Sequence, residues 1–155
     1  MNNKYDLTSE TIVINSKILY RIRALRSFGN VKAGELGGYI ESISNLSYEG
    51  NCWVSGAAMV YDNAWVSDNA QVFGNAQVFG NANVFEKARI SESARVGGNV
   101  YMWGKVQILG NAWVYGNVNV YGNTKLDSGI WNNSITIDGE NYLVSTTLEK
   151  VFAGV

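Results

Sequence analysis

The chain has 155 residues, 12 Lys and Arg against 13 Asp and Glu for a net charge of −1, one cysteine and no histidine. That length fits one domain with its own core, and the charge balance removes any whole-molecule field that would steer the chain to bulk nucleic acid or an anionic membrane. One cysteine excludes an intrachain disulfide, no apolar run approaches the roughly 18 residues of a membrane span, and the opening MNNKYDLTSE lacks the basic and apolar regions of a secretion signal, so a soluble cytoplasmic protein is expected.

Residues 1–38 read as an N-terminal β cap followed by a lead-in loop. TIVI (Thr11 to Ile14) and KILYRI (Lys17 to Ile22) flank an Asn15-Ser16 turn, which predicts a hairpin. Gly34, Gly37 and Gly38 fall within five residues and predict an irregular segment that feeds the chain onward.

Residues 39–129 carry a six-residue repeat, plainest from Asp62 to Gly122. An aliphatic column runs Val66, Val72, Val78, Val84, Ile90, Val96, Met102, Ile108, Val114, Val120. Two residues before each member sits Ala64, Ala70, Ala76, Ala82, Ala88, Ala94, Val100, Val106, Ala112 or Val118. Fainter sixes precede them at Ile40, Leu46, Cys52 and Ala58, so Cys52 reads as a small core residue, not a nucleophile. Residues two apart share a side of a strand, so both columns point inward and their neighbours point outward. The Gly-Asn pairs closing many units supply corners, since both residue types tolerate a left-handed backbone. A period of six fits neither helical template. After Leu126 the pattern fades in DSGIWNNS, and residues 130–155 read as a C-terminal cap or arm, with a hairpin across Asp138-Gly139 between Ile135, Ile137 and Tyr142 to Val144.

These A-x-V-x-G-N units resemble the hexapeptide-repeat left-handed parallel β-helix, in which three units make one triangular coil of roughly eighteen residues. The expected fold is therefore all-β, a left-handed solenoid of about five coils with β-hairpin caps at both ends that cover its raw strand edges. LYRIRAL (Leu19 to Leu25), VKAGELGGYIE and LSYEGNCWV are further similar to hexapeptide-repeat proteins carried by phages and prophages, commonly labelled transferases or polymer-forming proteins.

Stacking by eighteen sorts the outward residues into three faces. The first carries Trp53, Ser55, Gln71, Phe73, Arg89, Ser91, Gln107 and Leu109 and is mostly polar. The second (Met59, Tyr61, Gln77, Phe79, Arg95, Gly97, Trp113, Tyr115) and third (Trp65, Ser67, Asn83, Phe85, Tyr101, Trp103, Asn119, Tyr121) are heavily aromatic. Large exposed apolar patches are uncommon on monomers, so these faces predict a homo-oligomer, a trimer if the resemblance extends so far. Aromatic ladders that only protect strands are the alternative. Asn63, Asn81, Asn99 and Asn117 share one corner column and predict an amide ladder. Another corner places Lys87 and Lys105 one rung apart, where like charges repel unless an anion or an acid answers them, and Glu86 is the nearest acid in sequence. With Arg89 beside them and Phe85, Trp103 and Tyr121 across the corner, these residues form the candidate ligand-binding set: rings for a base, cations for phosphates.

The acyltransferases of the resembling family use a histidine base, and its carbonic anhydrases use three histidines around zinc. With no histidine, neither chemistry is available to this chain. Asp68 and Glu86, one rung apart, leave an atypical carboxylate enzyme as one alternative. The expectation is a non-enzymatic oligomer without cofactor or metal that captures a nucleotide-like small molecule or a host factor, acting against a host defence if the phage resemblance holds. A self-assembling scaffold is the other alternative.

Overall fold

The computed structural model describes residues 3–132 and 136–138. Strand β1 (Tyr5–Ile14) and strand β2 (Lys17–Ala24) form the expected hairpin, longer than its β-formers suggested, with Ile14 opposite Lys17. Both turn residues are left-handed, Asn15 at φ 50° and Ser16 at φ 65°, the geometry whose twist matches that of paired strands. Strand β3 (Leu36–Ile40) pairs antiparallel with β2 and parallel with the chain that follows, so the hairpin extends one wall of the solenoid instead of lying across its end.

The coils then follow in threes: β4 (Trp53–Val54), β5 (Met59–Val60) and β6 (Trp65–Val66); β7 (Gln71–Val72), β8 (Gln77–Val78) and β9 (Asn83–Val84); β10 (Arg89–Ile90), β11 (Arg95–Val96) and β12 (Asn99–Met102); β13 (Gln107–Ile108), β14 (Trp113–Val114) and β15 (Asn117–Tyr121). They close with β16 (Lys125–Leu126), β17 (Ile130–Trp131) and β18 (Thr136–Asp138). Each strand pairs in parallel with its equivalent one coil on, giving three sheets and a β-solenoid of about five coils. Two-residue strands have no stability alone. What holds them is the prism interior: every small and aliphatic column member from Ala58 to Val120 is fully buried, and each buried valine contributes roughly 1.5–3 kcal/mol.

The repeat runs on past Leu126, where the sequence pattern fades. Trp113 pairs with Ile130 and Asn119 with Thr136, a spacing of seventeen instead of eighteen. One residue is missing from the corner at 127–129, which throws the count off while Trp131 and Ile137 still point inward and are fully buried. The expected hairpin across Asp138-Gly139 lies outside the described residues.

The first coil has no coil beneath it, and buried polar side chains serve its backbone. Lys4 is fully buried, and its Nζ donates to the carbonyls of Cys52 (2.8 Å), Gly50 (3.4 Å) and Glu49 (3.5 Å). Tyr5 Oη donates to Leu46 O at 2.6 Å, and Asn45 Nδ2 donates to Ala64 O at 2.9 Å. Cys52 is buried as expected, its Sγ 3.3 Å from Lys4 Nζ, and burial pushes its thiol up.

Corners repeat every sixth residue in the left-handed region. Glycine holds that conformation where the sequence has one, but Asp62, Asp68, Glu86 and Glu92 hold it at φ 56–59°. The asparagines expected to share this duty follow the left-handed residue and do not adopt it. Three of the acids bond the corner above: Asp62 Oδ2 accepts from Gly80 N, Asp68 Oδ2 from Glu86 N, and Glu86 Oε1 from Gly104 N, each at 3.0 Å. A charge-assisted bond of this kind offsets the roughly 1–2 kcal/mol that a side chain costs there. Gly98 has both constraints: φ is +69°, and an added Cβ would sit 2.6 Å from Gly116 N. Gly98→Ala is therefore expected to lower stability by about 2 kcal/mol or more in urea unfolding, and a loss below about 0.5 kcal/mol would show the corner stack to be slack.

Candidate functional site

The backbone register puts five outward residues of one corner in a vertical column: Asn51, Asn69, Lys87, Lys105 and Asn123. The bonds that fix it run from Asn51 N to Asn69 Oδ1 (3.2 Å), from Asn69 N to Glu86 O (2.9 Å) and from Lys87 N to Gly104 O (3.0 Å). Beside that column the first face stacks Trp53, Gln71, Arg89, Gln107 and Lys125 in register. Between the columns lies a trough of about 730 Å³, closed at one end by Gly29, Asn30 and Val31 of the lead-in loop. Lys87, Arg89 and Lys105 all line it.

Three cations here share one space without a carboxylate to neutralise them. The ion pairs within 4.0 Å among the described residues join Lys17 to Glu41 and Asp62, Arg21 to Glu10, and Arg23 to Asp6. Glu86 is not the answer to Lys87 and Lys105 that its sequence position suggests. Its carboxylate turns along the axis to Gly104 N, because a left-handed residue directs its side chain toward the next corner. Arg89 lies with its guanidinium carbon 4.9 Å from the centre of the Phe73 ring, a cation–π contact that keeps its fork at the trough. A second groove of about 550 Å³ on the other side of the corner is lined by Asp68, Asn69, Glu86, Gly104 and the same two lysines.

The candidate set therefore divides. Lys87, Arg89 and Lys105 come together in the trough, whereas Phe85, Trp103 and Tyr121 stand on the third face and line neither groove. Those rings stack on one another, Phe85 to Trp103 at 5.8 Å and 10°, and Trp103 to Tyr121 at 5.0 Å and 8°. Both faces of the Trp103 ring are thus occupied from within the chain, and the ladder presents ring edges outward. The second face behaves alike. Tyr61 stacks on Phe79 at 5.4 Å, Phe79 lies against Gly97, and the Arg95 guanidinium sits between Phe79 and Trp113. On the third face, Trp65 (37%) and Tyr101 (48%) keep the most exposed aromatic surface.

The expected amide ladder is present at another corner, with Asn63, Asn81 and Asn99 each donating Nδ2 to the next Oδ1 at 3.1–3.3 Å. Sequence reasoning missed Asn51, Asn69, Gln71 and Phe73 as trough residues. Their signal was available, since all four stack in or beside the columns that hold Lys87 and Arg89. Asn30 had none, because it arrives from a non-repeating loop. Among the described residues no cluster of three or more Cys, Asp or Glu is placed to hold a metal, and no helix is long and apolar enough to cross a membrane.

Against known proteins, the chain matches no protein-family model and no curated sequence.

The division predicts opposite behaviour for residues one rung and one corner apart. Trp103→Ala removes two stacked contacts from a half-buried ladder and is expected to lower unfolding stability by about 2–4 kcal/mol, whereas Lys105→Ala should leave the urea midpoint nearly unchanged. Reversed effects would mean that the ring ladder is not what braces the third face.

Proposed function

We propose that this protein is a non-enzymatic binding module whose trough captures a phosphate-bearing, nucleotide-like small molecule. The observation that carries the reading is the convergence of Lys87, Arg89 and Lys105 on one concave surface with no carboxylate of the described residues within 4.0 Å of any of them. Uncompensated cations in a recess gain from an anionic ligand, and guanidinium and ammonium donors match phosphate oxygens. The absence of histidine removes the base on which the transferases of the resembling fold rely. The carboxylates of Asp68 and Glu86 serve backbone N–H groups, which argues against a carboxylate enzyme at that corner.

The module acts as a homo-oligomer, a trimer in our reading, joined through the third face around Trp65 and Tyr101. The similarity to phage-carried repeat proteins supplies a setting, the sequestration of a nucleotide on which a host defence depends. A self-assembling scaffold is the second reading, favoured by ladders that already satisfy one another within the chain.

Calorimetric titration with nucleoside 5′-diphosphates and cyclic dinucleotides tests the binding reading. Saturable binding is expected, weakening about tenfold or more in Lys87→Ala or Lys105→Ala, as loss of a charge-assisted bond implies, and falling steeply between low and physiological salt. Absence of saturable binding across the panel would overturn it. Light scattering should give three times the 17.0 kDa chain mass. Open-ended polymers would favour the scaffold.

A further inference from the structure

The trough differs along its length, and the difference specifies more than an anion. At the end nearer Gly29–Val31 its polar side chains are uncharged: Asn30, Asn51, Ser55, Asn69 and Gln71. Two of these have their orientation set by the backbone. Asn69 spends Oδ1 on Asn51 N at 3.2 Å, which leaves Nδ2 as a donor. Gln71 spends Nε2 on Asn51 O at 2.9 Å and Asn69 O at 3.4 Å, which leaves Oε1 as an acceptor. A donor and an acceptor side by side suit a hydroxyl, which gives one hydrogen bond and takes another. They do not suit the dianion of a phosphate monoester, which has no proton to offer Gln71 Oε1. The other end carries Lys87, Arg89 and Lys105, which only donate, together with Gln107, whose amide can donate as well, and suits a phosphate. One to two rungs of roughly 4.8 Å separate Asn69 from the lysines, a span matched by a sugar with a phosphate on one carbon.

Aromatic stacking adds little inside this space. Among the described residues the one ring lining the trough, Phe73, lies under the Arg89 guanidinium, and the rings of the third face stack on each other. Recognition through a flat base therefore has no ring to use here.

We infer that the trough is a sugar-phosphate site: the phosphate lies at Lys87, Arg89 and Lys105, the sugar hydroxyls lie at Asn69 and Gln71, and any base attached to the sugar is read weakly or not at all. This rests on the anion-binding reading above and narrows it to a class of ligand and an orientation.

Calorimetry on the full chain with ribose 5-phosphate, inorganic phosphate, adenosine diphosphate and uridine diphosphate provides the test. Ribose 5-phosphate is expected to bind at least tenfold more tightly than inorganic phosphate, and the two diphosphates within about threefold of each other. Gln71→Met should weaken ribose 5-phosphate at least fivefold and leave inorganic phosphate unchanged, whereas Lys105→Ala should weaken both. Equal affinity for ribose 5-phosphate and inorganic phosphate would overturn the sugar end while leaving the anion site standing. A tenfold or larger preference between the two diphosphates would overturn the claim of base tolerance. No binding of any of the four would bring down the anion-binding reading itself. The comparison of ligands on the unaltered protein decides the question even if Gln71→Met fails to fold.

Discussion

Each coil of this solenoid can pair its backbone only with the coils directly above and below it, and from Trp53 to Leu126 the pairing is in register at eighteen residues. Every position is thereby stacked on its equivalents at about 4.8 Å. A residue's worth is set less by its own preferences than by whether a copy of its chemistry tolerates that distance. Apolar side chains do, and the alanine and valine columns close into a fully buried prism. Amides do when they alternate donor and acceptor, as Asn63, Asn81 and Asn99 do. Flat rings do, and their ladders turn apolar surface inward on itself.

Cations do not. Two ammonium groups one rung apart gain nothing from each other, and several cations of this molecule have partners: Lys17 bridges Glu41 and Asp62, and Arg95 rests between Phe79 and Trp113. Lys87 and Lys105 have no ion pair within 4.0 Å among the described residues. The acid that could have neutralised them, Glu86, holds a left-handed corner and bonds the next corner's N–H. Backbone geometry thus ties one oxygen of this carboxylate to Gly104 N, and Glu86 shares a groove with both lysines without an ion pair within 4.0 Å.

Much of the fold was legible because the inward columns are nearly monotonous and period six admits no helix. The hairpin at Asn15-Ser16 and the amide ladder were legible for the same kind of reason, since each depends on residue types at fixed spacing. What escaped was whatever depends on a single residue's direction or on a change of count. The deletion near Asp127 hides the last strands, although Trp131 and Ile137 fill the core as their predecessors do. The side-chain direction of Glu86 follows from a positive φ that composition does not reveal. Phe85, Trp103 and Tyr121 stack on one another, as a column of rings eighteen apart implies, and a corner separates them from Lys87.

The same logic explains why the trough is asymmetric. The repeat would have continued Asn51 and Asn69 upward as two more asparagines, and Gln71 as another glutamine. At the third coil KARISESARV replaces them with Lys87 and Arg89, Lys105 follows one rung higher, and Gln107 and Asn123 then bring amides back to the two columns. Nothing inside the prism registers the change, since Ala88 and Ile90 stay buried beneath it. The change from amide to cation is thus confined to outward positions, and the columns that build the core run through it without a break.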